Sequence, residues 1–73
     1  MTKRETLEWL IENDVVNCRN AARNRDILTA RFIDGLTYEQ IAEEFDIAPI
    51  TVSRTIHKHG DPILIKLSKM MQE

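Results

Sequence analysis

The chain has 73 residues, 42% of them hydrophobic, 30% charged and 5% aromatic. This is the composition of one small globular domain with a marginal core, not the low-hydrophobicity, high-charge mixture of a disordered chain. With two Gly and two Pro, tight turns are scarce; one Cys excludes an internal disulfide and a multi-cysteine zinc site; and a net charge of −2, taken alone, argues against a nucleic-acid binder.

In chain order, the first helix is predicted over residues 2–22. Thr2 and Glu5 have the spacing of a capping box. Leu7, Leu10, Ile11, Val15, Cys18 and Ala22 recur at steps of three and four along one stripe. Trp9 and Val16 lie on the opposite side, either packed at the far end of the domain or free for a partner. A polar joint at residues 20–24 leads to a second helix over 25–33, with Asn24 as N-cap and Ile27, Leu28 and Phe32 as its apolar side. Asp34 and Gly35 end it. Thr37 and Gln40 form a second capping box and open a third helix, whose buried face is Ile41, Ala42 and Phe45. Asp46 to Ala48 is a short turn. Pro49 suits the first turn of a fourth helix, with Val52 and Ile56 inward, and Gly60, Asp61 and Pro62 stop it. Residues 62–71 form the last helix.

No apolar run approaches the roughly 18 residues of a membrane span, and no signal-peptide pattern opens the sequence. The expectation is a cytoplasmic protein with no membrane partner. So short a helical chain seldom encloses an active-site pocket, so a binding module is expected rather than an enzyme. No cofactor and no metal are implied. His57 and His59 fall on different sides of a helix, Cys18 suits a small core position, and the third helix's carboxylates suit a solvated face.

Charge is unevenly distributed. Residues 24–47 hold six acids and two bases, whereas residues 48–60 hold no acid, Arg54, Lys58 and both histidines. The acid-free stretch coincides with a helix–turn–helix pattern over residues 36–60. Ala42 is small where two helices must cross within about 8–10 Å. Ile47 plugs the turn, and Val52 with Ile56 ties the second helix to the core. The expected fold is therefore all-α, a four to five helix bundle with a central helix-turn-helix, in one domain over 1–73.

The run from Ile27 to Phe32, the run Leu36-Thr-Tyr-Glu-Gln-Ile-Ala-Glu-Glu-Phe-Asp-Ile and the run Thr51-Val-Ser-Arg together resemble region four of bacterial sigma factors. Thr-Val-Ser-Arg also recurs on the recognition helices of wider helix-turn-helix regulators. The resemblance covers residues 24–60, between an N-terminal helix at 1–22 and a C-terminal helix at 62–71. The turn carries Asp46 where most helix-turn-helices have Gly, a departure shared with sigma-like sequences. Ala48 stands where Ser or Thr usually caps the recognition helix. The chain is too short to add a promoter-melting region, so the resemblance implies a small stand-alone transcription regulator, of phage or mobile-element origin.

With Val52 and Ile56 inward, the residues expected to contact bases are Ile50, Ser53, Arg54 and His57. Arg54 leads them, because a guanidinium matches the two acceptors of guanine. Thr51 and Lys58 on the same helix, Thr37 and Tyr38 at the start of the third helix, and Arg25 are expected to meet phosphates. Double-stranded DNA is the expected partner. One helix-turn-helix reads few base pairs, so a homodimer on half-sites about 34 Å apart is expected. Its interface would use Ile63, Leu64, Leu67, Met70 and Met71 of the C-terminal helix, which cannot all face one small core, with Trp9 and Val16. The alternative is a sigma-like module that docks on RNA polymerase or another transcription factor.

Overall fold

The computed structural model describes residues 2–71. Five α-helices follow one another: α1 (Lys3–Asp14), α2 (Ala21–Phe32), α3 (Tyr38–Phe45), α4 (Pro49–Thr55) and α5 (Asp61–Met71). A π-helical segment, Ile56–Gly60, joins α4 to α5, and the described residues contain no strand. The architecture is the expected all-α bundle.

One apolar cluster holds it together. Leu7, Leu10, Ile11 and Val15 meet Ile63 and Leu67 of α5, and the cluster runs on through Ile27, Leu28, Ile41, Val52 and Ile56. Ile27, Leu28, Ile41 and Val52 are completely inaccessible to solvent. Their burial is the main force assembling short helices that would be marginal alone in water.

The first helix is shorter than its stripe suggests. Its capping box forms as expected, with the Glu5 N–H donating to Thr2 Oγ1 at 3.1 Å and the Thr2 N–H to Glu5 Oε1 at 3.2 Å. It ends at Asp14, not at residue 22. Val15 leaves helical geometry yet stays buried, and the link that follows contains Val16, Asn17 and Asn20, all weak helix formers. Asn20 adopts the left-handed conformation, at φ 58°, that asparagine tolerates better than most residues. Arg25 secures the link by donating from Nη1 to the Val15 carbonyl at 2.7 Å. α2 therefore starts at Ala21, and Asn24 is not its N-cap but a buried residue within its first turn.

The second correction concerns Gly60, Asp61 and Pro62, which do not end the helical path. Gly60 is a point of close approach: a Cβ there would lie 2.8 Å from Cζ of Phe32. In a continuous α-helix the Pro62 ring would meet a carbonyl four residues back. The wider π turn relieves that clash, and Pro62 falls in the first turn of α5, where its missing N–H matters least.

The third correction follows from packing. Ile63 and Leu67 are core residues, 1% and 4% exposed, and are therefore not interface residues. They bury the inner face of α5 against α1. The exposed apolar side chains of α5 are Leu64, Ile65, Met70 and Met71; Trp9 and Val16 are also about half exposed, at 49% and 46%.

Candidate nucleic-acid interface

α2, α3 and α4 position the site. α2 ends with Gly35 at φ 73°, and the Leu36 N–H returns to the Ala30 carbonyl at 3.0 Å. Arg31 Nη1 donates to the Leu36 carbonyl at 3.0 Å, and its guanidinium lies 4.9 Å above the Tyr38 ring. This brace fixes the start of α3. There the Thr37 N–H donates to Gln40 Oε1 at 2.8 Å and the Gln40 N–H to Thr37 Oγ1 at 3.1 Å.

The turn explains the residue at its centre. Asp46 has φ 55° and ψ 50°, the left-handed geometry in which glycine is favoured and aspartate tolerated. Its N–H reaches the carbonyls of Ala42 and Glu43, and the Ile47 N–H reaches Ala42 at 3.0 Å. Ala42 and Ile41 are buried at the crossing, as a close helix pair requires.

Ala48 is the N-cap of α4 and makes no side-chain cap hydrogen bond, and Pro49 opens the helix. Val52, Thr55 and Ile56 face inward. Ile50, Arg54, His57 and Lys58 are exposed, while Thr51 and Ser53 are half-buried at the flanks. Helix geometry thus brings the four expected base-contacting residues together with Thr51 and Lys58. Thr37 is exposed and Tyr38 half-buried at the start of α3. Arg25 stands apart, engaged with Val15. His57 Nδ1 lies 3.3 Å from Asp61 Oδ2. Neither Arg54 nor Lys58 forms an ion pair among the described residues, where the pairs are Arg4–Glu8, His57–Asp61 and Lys66–Asp14.

Two cations escaped the reading of the sequence. Arg19 and Arg23 share a pocket of about 260 Å³ with Cys18, Asn24, Thr51, Arg54, Lys58 and His59. A signal for them was present: residues 15–25 contain three arginines and no acid. His59 lies inside this edge of the bundle, its Nε2 3.3 Å from Asn24 Nδ2. Burial first, and then the neighbouring Lys58 cation, push its pKa below the ordinary 6.5 of histidine.

Residues 21–58 match the family described as Sigma-70, region 4. The chain belongs to that family. No curated protein and no solved structure matches it. The matched span starts with the first residue of α2 and ends inside the π segment, so it contains the whole helix-turn-helix and excludes α1 and α5. Sigma-70 region 4 is a DNA-binding helix-turn-helix family of transcription, not an enzyme family, and its domains bind DNA and interact with RNA polymerase. No helix of this region 4 domain is long and apolar enough to cross a membrane among the described residues.

Proposed function

We propose that the chain is a sequence-specific DNA-binding transcription regulator that works in the cytoplasm and lays α4 and its π extension in the major groove. One observation carries this reading: opposite the buried Val52 and Ile56, residues 48–60, which include no acid, expose Ile50, Arg54, His57 and Lys58, and the one carboxylate paired with them among the described residues is Asp61, beside His57. Arg54 pairs with guanine, Ile50 touches a thymine methyl, and Ser53 and His57 bond base edges. Thr51, Lys58, Thr37 and Tyr38 meet phosphates; Arg25 does so only by giving up its bond to Val15. The test is selection of bound duplexes from a random DNA pool, followed by a salt titration on the selected site. A recovered consensus and a steep negative salt slope are expected. Binding with no sequence preference and no salt dependence would remove DNA recognition from the chain.

A homodimer is part of this reading, formed through Leu64, Ile65, Met70 and Met71 of α5, with Trp9 and Val16 of α1 alongside. Two copies supply the second half-site that one small reader lacks. Ile65→Glu, at a position 58% exposed, should weaken self-association in analytical ultracentrifugation without unfolding the chain. The same exposed apolar side chains favour the second reading, docking on RNA polymerase, and a chain that stays monomeric at high micromolar concentration would shift weight to it.

A further inference from the structure

The pocket beside α4 is more than a flank of the recognition helix. Four side chains that are cationic at neutral pH ring it: Arg19 from the link before α2, Arg23 from the first turn of α2, and Arg54 and Lys58 from α4 and the π segment. None of the four forms an ion pair among the described residues. In a chain of net charge −2, four such neighbours repel one another and lack a counter-charge. Of the residues lining the pocket, Arg23 keeps a buried donor, its Nε, without a hydrogen-bond partner; Asn24 Oδ1 is also buried and unpartnered, but as an acceptor it needs a donor that an ionised phosphate does not supply. A buried donor left unmade is unfavourable, and native structures seldom keep one without a reason.

The surrounding backbone has the same polarity. α1 and α3 open with complete capping boxes, whereas Asn20 caps α2 with no side-chain hydrogen bond. The positive end of α2 therefore adds its unneutralised partial charge at Arg23 and Asn24. The Asn24–His59 contact ties this helix end to the π segment, and Asn24 Nδ2 also donates to the Arg19 carbonyl at 3.2 Å. The cations thus sit on a fixed frame. A guanidinium fork matches the oxygens of a phosphate in two parallel bonds, and two arginines with a lysine supply more donors than one phosphate can accept.

We propose that this pocket is a phosphate-binding site, built from Arg19, Arg23 and Lys58, with Arg54 at its rim adding positive charge while its guanidinium stays free for a base. The position favours a backbone phosphate of DNA as the source. A helix about 10–12 Å across fills a major groove about 12 Å wide, so its flanks meet the groove's walls. The pocket occupies one such flank, next to the face carrying Ile50 and Arg54. In its DNA form the proposal rests on the reading given above; the other source of the same chemistry is a free phosphate compound.

The experiment has two arms on the full chain, in the wild type, Arg19→Gln and Arg23→Gln. Arg19 is exposed, so its variant reports even if Arg23→Gln loosens the link. In the first arm, affinity for a random-sequence duplex and for the selected site is measured against salt. Loss of one phosphate contact should flatten the slope of log K against log salt by about 0.9 and leave base preference unchanged. In the second arm, pyrophosphate is titrated while the backbone amide signals of residues 18–24 and 58–59 are followed by NMR. A flattened slope assigns the site to the DNA backbone. An unchanged slope, with saturable pyrophosphate shifts that both variants lose, assigns it to a free phosphate compound. An unchanged slope and no saturable shift overturn the site and leave the DNA reading standing. A wild type that fails to bind DNA refutes that reading, and the pyrophosphate arm then upholds or overturns the pocket by itself.

Discussion

The two helices of the helix-turn-helix are built differently. α3 is locally self-sufficient: Thr37 and Gln40 close its first turn reciprocally, Arg31 braces Tyr38, and Glu39, Glu43 and Glu44 face water. α4 has no side-chain cap, no acid and only seven residues before the helix widens. Pro49 presets its first turn, and the burial of Val52 and Ile56 holds it in place. The scaffold helix meets its own polar needs. The helix proposed to read DNA relies on its neighbours, its Thr51 and Val52 N–H groups return to the Ala48 carbonyl, and Arg54 enters no ion pair among the described residues. In the proposed docking, the acids of α3 would also bias orientation, because a phosphate backbone is repelled from that face and attracted to the cations of α4 and its π extension.

The largest effects should come from interchanging the two roles of an isoleucine. Ile41 is completely buried and Ile50 is 56% exposed. Ile41→Ala should remove about 2–5 kcal/mol of stability, a large share of what so small a domain holds. Ile50→Ala should change stability by less than about 0.5 kcal/mol and act on DNA affinity instead. Urea denaturation of both variants, with duplex binding of the second, checks the pair. Equal losses of stability would mean that α4 does not present the face described.

Next in size is the contrast between reading and holding. Arg54→Ala should lose about 1–3 kcal/mol at the selected site and relax one base position, whereas Lys58→Ala should weaken all sequences alike. Repeating the random-pool selection with each variant separates them. An unchanged consensus for Arg54→Ala would move base readout to Ser53 and His57.

Much of this was legible in the sequence, for identifiable reasons. Both capping boxes, the turn at Asp46 and the inward pair Val52 and Ile56 are fixed by contacts a few residues apart, which spacing reveals. The end of α1 was not legible, since the step of three and four runs unbroken to Ala22 while the chain leaves the helix at Val15. At that break the Val15 carbonyl is met by Arg25, ten residues further on, a partner that spacing along one helix does not reveal. Gly60 and Pro62 read as a stop because their usual roles are local. Here Gly60 answers to Phe32 and Leu28, and a π turn accommodates the proline. The cationic pocket was illegible for the same reason: Arg19 and Arg23 meet Arg54 and Lys58 only after the link has folded.

The capping contrast gives a smaller, signed effect. Thr37→Ala breaks a complete capping box and should destabilise the domain by about 1 kcal/mol. Ala48→Ser adds a side-chain acceptor where α4 has none, and should stabilise by up to about 1 kcal/mol by accepting from the Ile50 or Thr51 N–H, the latter now held only by the Ala48 carbonyl. Thermal melts of the two variants should therefore move in opposite directions. A drop for Ala48→Ser would mean that the uncapped start of α4 is already satisfied by other means.

The smallest effect expected is a pH dependence written by His59. Its Nε2 lies 3.3 Å from Asn24 Nδ2, an amide nitrogen that only donates, so the favourable form is the one in which Nε2 carries no proton and accepts. Protonation places two donors against each other, in a ring that burial and Lys58 already disfavour charging. Arg19, Arg23 and Arg54 add positive charge on one side; on the other, Asp14 and Lys66 are paired with each other. The folded pKa is thus below the unfolded value near 6.5, and the unfolded chain binds the proton more readily. The neutral-state stability is complete above about pH 6.5 and declines as pH falls through that value towards the folded pKa. His59→Gln, which keeps a hydrogen-bonding side chain without the titration, should show a shallower decline between about pH 7 and pH 5 in urea midpoints than the wild type. Parallel declines in the two proteins would assign the pH dependence to other groups and detach His59 from the Asn24 tie.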